Sequence, residues 1–152
     1  MNAASAGHRA IGRVRCETVP DAPHATWSNA LVIGDEIVMS GMTAHPATRE
    51  ASEAGKPLSA YEQTLAVLEK IRALVEAAGG ETGGIYKLVV YVTDIADKAE
   101  VGRARQAFFA AQVEAGGAYP CSTLVEVSGL VFPELRVEIE ACARLGAKQA
   151  VR

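Results

Sequence analysis

The chain has 152 residues, enough for one domain with a proper core and too few for two ordinary ones. Its net charge is −3 and its Lys and Arg residues are scattered, which speaks against a nucleic-acid partner, and no apolar run approaches the roughly 20 residues of a membrane helix. Hydrophobic residues make up 49% of the chain and aromatics only 5%, so Ala, Val, Leu and Ile must build the core.

Residues 1–9 read as a flexible N-terminal tail, small and polar, with no apolar stretch of the kind a secretion signal carries. A first strand is expected from Ile11 to Cys16, after which Pro20 to His24 breaks regular structure. Two short apolar runs between Ala30 and Ser40 hinge on Gly34-Asp35, the pattern of a β-hairpin. Gly41 ends the second strand, and Thr43 to Lys56 reads as a polar loop. Ser59 and Glu62 form a capping box at the start of a helix. Along that helix Leu65, Leu68, Ile71, Leu74, Val75 and Ala78 recur at helical spacing, and Gly79-Gly80 stops it. Neither that pair nor Gly83-Gly84 has the spacing of a phosphate loop.

Ile85 to Ile95 is rich in β-branched residues and predicts a central strand. Asp97 to Glu100 opens a second helix with Val101, Ala104, Phe108 and Phe109 on its inner side, ending at Gly116-Gly117. Thr123 to Val127 and Leu135 to Ala143 are the closing strands, and residues 146–152 form a C-terminal tail. This order implies an α+β protein: a mixed β-sheet with two helices packed on one face. In the last strand Val137, Ile139 and Ala141 share the helix side, while Glu138, Glu140 and Cys142 share the other. That second face is uncovered unless another subunit covers it, so an oligomer is expected.

Cys16, Cys121 and Cys142 are odd in number and widely spaced, with no CxxC, which argues against a disulfide framework and a zinc site. A cytoplasmic protein with free thiols and no metal is the plain expectation. Glu138 is the first candidate for chemistry, as a group that positions water or as a carboxylate bonded across a subunit interface. Cys121 is either a nucleophile at a strand start or a small residue lining a cleft, and the sequence places no base beside it. His45 and His24 sit in loops where solvation is the ordinary fate of an imidazole. Trp27, the single tryptophan, suits ligand stacking and interface packing equally. Glu126 reads as a solvated or interface charge, Glu140 as structural or paired with an Arg, and Arg13, Arg15 and Arg136 as surface or interface partners.

Taken together, Trp27-Ser28-Asn29-Ala30, Gly34-Asp35 before Val38-Met39-Ser40-Gly41, the Gln63–Gly79 helix, Lys87–Asp94, Phe108-Phe109 and the closing Val137-Glu138-Ile139-Glu140-Ala141 resemble the Rid (YjgF, reactive intermediate deaminase) family. The resemblance spans residues 10–145 and implies a single domain of chorismate-mutase-like fold, assembled as a homotrimer with small-molecule clefts between subunits. It implies hydrolysis of enamines and imines to a keto acid and ammonia, with no metal or organic cofactor. The family's cleft carries an Arg that grips the substrate carboxylate two residues after a Pro, a last-strand Glu, and a backbone group near a Ser-Gly strand end.

Carried over, these positions are Pro120, Thr123 after the Arg position, Glu138, and Ser40-Gly41. The Arg position itself holds Ser122, which cannot make a fork-shaped charged contact. A cleft Tyr becomes Trp27 and a polar amide becomes Met42. These departures point to a larger or less charged ligand. Two functions stay open. One is a hydrolytic deaminase of an enamine, an imine or a related conjugated metabolite, using Glu138, Ser122, Thr123 and Cys121, with Trp27, Ser40, Gly41, Met42, His45 and Pro120 around the ligand. The other is a non-catalytic trimer that binds a metabolite or a partner.

Overall fold

A computed structural model describes residues 10–151 of the chain; the expected tail over residues 1–9 lies outside them. Ten elements follow in order: β1 (Ile11–Arg13), β2 (Ala30–Ile33), β3 (Glu36–Met39), β4 (Met42–Thr43), α1 (Ala47–Glu53), α2 (Ala60–Ala77), β5 (Ile85–Val92), α3 (Lys98–Glu114), β6 (Cys121–Glu126) and β7 (Val137–Arg144). Short 3-10 turns at Thr82–Gly84 and Ile95–Asp97 lead into β5 and α3.

The strands form one sheet in the order β1-β2-β3-β7-β5-β6, with β4 also paired to β7. All pairs are antiparallel except β5 with β6, which α3 joins by a crossover. The β2–β3 hairpin turns at Gly34, whose φ of 67° is the left-handed conformation that glycine adopts without penalty. Helix α2 begins where the capping box predicts: the Ser59 hydroxyl accepts from the Glu62 N–H at 3.2 Å, and the Glu62 carboxylate accepts from the Ser59 N–H at 2.8 Å. Such a cap contributes about 1 kcal/mol.

Helices α2 and α3 lie side by side over one face of the sheet. Val67, Leu68, Ile71, Leu74 and Val75 from α2 meet Leu88, Val90 and Val92 from β5 and Val137, Ile139, Ala141 and Ala143 from β7. Each large aliphatic side chain buried in this layer stabilises the fold by about 1.5–3 kcal/mol. Gln63, buried at the start of α2, donates to the carbonyls of Leu58 and Glu134, each at 3.1 Å, and accepts from the Arg136 N–H at 2.8 Å. It thereby fixes the loop that delivers β7.

Two expectations need correction. The segment from Thr43 to Lys56 is not a plain loop, because it opens with the last residue of β4 and contains α1. Helix α1 is only seven residues, starts after Pro46 and buries only Thr48, so it leaves no periodic apolar stripe to read. A third helix therefore accompanies the two expected. Strand β1 is also shorter than expected, ending at Arg13. Past β7 the Gln149 N–H donates to the Gly83 carbonyl at 3.1 Å, and Lys148 pairs with Glu81 at 3.0 Å.

Candidate functional site

Pairing fixes which side chains share the face of the sheet away from α2 and α3. Glu138 lies opposite Thr43 of β4 and Tyr91 of β5, and Glu140 lies opposite Val89. Val89 in turn lies opposite Thr123 of β6, and Lys87 opposite Cys121. Strand alternation puts Glu138, Glu140, Tyr91, Thr43, Thr123 and Cys121 on this open face. The Tyr91 hydroxyl donates to the Glu140 carboxylate at 3.0 Å. That bond, with lesser help from burial, raises the tyrosine pKa.

Glu138 is the distinctive group of this face. Half-buried beside β4, it has its pKa raised by desolvation first and by the neighbouring Glu140 charge second. Its carboxylate rests on the backbone of Gly41: a Cβ added there would lie 2.0 Å from Glu138 Oε1. Gly41 therefore makes room for the carboxylate. Ser40 spends its hydroxyl nearby, donating to the Ser28 carbonyl at 2.7 Å, while its N–H donates to the Asn29 carbonyl at 2.9 Å. Those bonds tie the loop carrying Trp27, 54% exposed, to the end of β3. The structure brings Glu138, Gly41 and Ser40 together, ties the Trp27 loop to Ser40 through Ser28 and Asn29, and sets beside Glu138 two residues the sequence analysis does not name as candidates, Thr43 and Tyr91. Only the strand register reveals those two.

Met42 needs correction as a cleft residue. It pairs with Ile139, is 6% exposed, and its side chain joins the core on the side opposite Glu138. A thioether there packs under α2. His45 stacks on Phe132 with ring centroids 4.5 Å apart, and the Arg49 guanidinium lies 4.6 Å from the same ring. Its Nδ1 is buried with no hydrogen-bond partner among the described residues, and its carbonyl accepts from Lys70 Nζ at 2.6 Å.

Pro120 and Ser122 belong to a different place. Ser122 pairs with buried Leu88 and so faces α3. There a cleft of about 310 Å³ opens between α3 and β6, lined among others by Arg105, Gln106, Phe109, Tyr119, Pro120 and Ser122. The Arg105 guanidinium donates through Nη1 to the Ser122 hydroxyl. Nothing in the sequence singles out Arg105, because only the packing of α3 on β6 brings it to Ser122. One chain therefore carries two clusters on opposite faces of its sheet: Glu138 with Gly41 and Thr43, and Ser122 with Pro120 and Arg105.

Arg136 forks onto Asp97, 5% exposed, with Nε and Nη2 at 2.9 and 2.5 Å from its two oxygens. Glu126 accepts from the Ile95 N–H at 2.7 Å. The three cysteines are free, and Cys121 is exposed. Among the described residues no group of three or more His, Cys, Asp or Glu could hold a metal ion, and no helix is long and apolar enough to cross a membrane.

The crystal structure of PA3499 from Pseudomonas aeruginosa, a protein of unknown function, superposes with a TM-score of 0.86 at 61% identity, over 94% of this chain and 98% of that one. The Escherichia coli YjgF gene product superposes with a TM-score of 0.72 at 32% identity, over 87% of this chain and 97% of that one. The 2-iminobutanoate/2-iminopropanoate deaminase of Escherichia coli (strain K12) is 35% identical over 112 residues, 73% of this chain and 80% of that protein. Residues 18–145 match the family described as Endoribonuclease L-PSP, and with these relatives the chain belongs to it, the Rid or YjgF family.

Proposed function

We propose that the chain is a hydrolytic deaminase of enamines or imines, working as a cytoplasmic homotrimer on a substrate larger than the smallest enamino acids. The observation that carries this reading is Glu138: a carboxyl group with a raised pKa, seated over a glycine on an otherwise open face. A carboxyl group held nearer to neutrality can give a proton to an enamine carbon and, once ionised, take one from water. Water then adds to the C=N carbon, the nitrogen leaves as ammonia, and a carbonyl remains. The named activity of the E. coli relative supports the reaction class.

Association of copies is supported by the separation of the two clusters, and the number three follows from the family resemblance. Glu138 and Ser122 face opposite sides of one sheet, so a shared cleft needs the Glu138 face of one copy against the Ser122 edge of another. Exposed Val38 and Val125 give that face apolar area for a second subunit to cover. Free thiols suit a reducing compartment. The acidic net charge and scattered basic residues favour a small molecule over RNA.

A second reading, a non-catalytic trimer that binds a metabolite or a partner, is favoured by one observation: Ser122 stands at the Arg position. Ammonia release from 2-aminoacrylate, generated in place by a dehydratase, and from a bulkier imino acid separates the two. Acceleration lost in Glu138→Ala is the expected result, with the bulkier substrate preferred. Tight ligand binding without release of ammonia from either substrate would leave the binding trimer.

A further inference from the structure

We propose that Arg105 is the anion-binding group of the α3–β6 cleft, taking the carboxylate of a planar 2-oxo or 2-imino acid with an apolar tail. The inference deepens the proposed deaminase reading by naming what holds the substrate's charge, and it rests on that reading for the identity of the anion. Four observations carry it. Arg105 lines the cleft and is partly buried there, yet no carboxylate of the described residues pairs with it. A partly shielded arginine without a counter-ion is a ready receptor for one. The bond from Nη1 to Ser122 Oγ holds the guanidinium against β6 at the cleft and leaves further N–H donors of the fork unspent. The Ser122 hydroxyl accepts that bond, so its own hydrogen is left to donate to the same anion.

The walls give the rest of the ligand. Leu88, Phe109 and Tyr119 supply apolar and aromatic surface. Gly102, one helical turn before Arg105, has open space where a side chain would stand. A planar acid with a phenyl-sized tail fits about 310 Å³ better than a three-carbon acid does. Arg105 thus takes over from the helix the charge that Ser122 cannot supply from the strand.

The test uses phenylpyruvate and its amide as probes, with binding followed by NMR titration of the full chain. Arg105→Ala, Arg105→Lys and Ser122→Ala are compared with Arg103→Ala, which removes the same charge from the same helix at a residue that lies over Tyr61. Circular dichroism checks that each variant folds. Arg105→Ala is expected to weaken phenylpyruvate binding at least about tenfold and to leave the amide unchanged within threefold, the loss expected of a charge-assisted fork. Arg105→Lys recovers part of the affinity, and Arg103→Ala retains all of it. The proposal is overturned if wild type fails to bind phenylpyruvate at millimolar concentration, or if Arg105→Ala binds it within threefold of wild type. An equal loss of acid and amide overturns it as well. Imine turnover is read separately. Intact Arg105-dependent binding beside no ammonia release in wild type retires the deaminase reading and leaves the anion site standing.

Discussion

The two faces of β7 are built from alternate residues of one strand and behave as different materials. Val137, Ile139, Ala141 and Ala143 are sealed under the helices, while Glu138, Glu140, Cys142 and Arg144 are at least partly open. The first set is interchangeable in chemistry and constrained in shape. The second is loose in shape and specific in chemistry, since Glu138 has its titration shifted and its resting place cut out of Gly41. On the proposed reading of Glu138, stability and function divide between the two faces, and substitutions on each should register in different measurements.

The largest effect on stability is expected on the sealed side. Ile139→Ala leaves a cavity under α2 and should cost about 3 kcal/mol, seen as a fall in melting temperature of roughly 6–12 °C. A fall under 2 °C would mean that the sealed face is not close-packed.

Gly41→Ala sharpens the contrast, because the clashing atoms are the movable end of Glu138. Turnover should fall about tenfold or more, or about 1.4 kcal/mol in transition-state terms, while the melting temperature stays close to wild type. Equal losses in both would show that Gly41 serves the fold and not the carboxylate.

The third prediction concerns pH. Burial and Glu140 raise the Glu138 pKa above its unfolded value, so the folded chain holds this proton more tightly than the unfolded chain does. Its contribution to stability is complete below the ordinary carboxylate range and is lost as pH rises through the raised value. Glu138→Gln stays neutral and escapes that loss. Urea unfolding should therefore favour the variant increasingly from acid to neutral pH, by under about 1 kcal/mol. A pH-independent difference would break the claim that the open face holds a strained acid.

The smallest effect belongs to Tyr91→Phe, which removes the bond to Glu140. It should change unfolding free energy by no more than the roughly 0.5 kcal/mol of an ordinary surface substitution. A larger loss would make the pair part of the framework.

Legibility in the sequence follows the range of the interaction. The capping box at Ser59 and Glu62, the hairpin at Gly34 and the alternation of β7 are written within a few residues, and each is found where it is expected. Helix α1 is too short and too exposed to leave a period. Strand β4 has two residues and exists only because β7 pairs with it. The site divides along the same line. Glu138 is legible from alternation, and its neighbour Gly41 from the family's Ser-Gly pattern. Met42 misleads because it is itself the first residue of β4, and the pairing with β7 turns its side chain into the core. Arg105 looks like any helical arginine, since its meaning lies in a contact that only the α3 crossover creates.

The seat of Glu138 on Gly41 links two positions far apart in the chain through a single missing methyl group. In the divergence of related sequences they should not drift independently. A lineage that gains any side chain at position 41 must shorten or redirect the residue at 138, and one that loses the acid at 138 is released to fill 41. Their joint history is thus a record of when the open face kept its acid and when it gave it up.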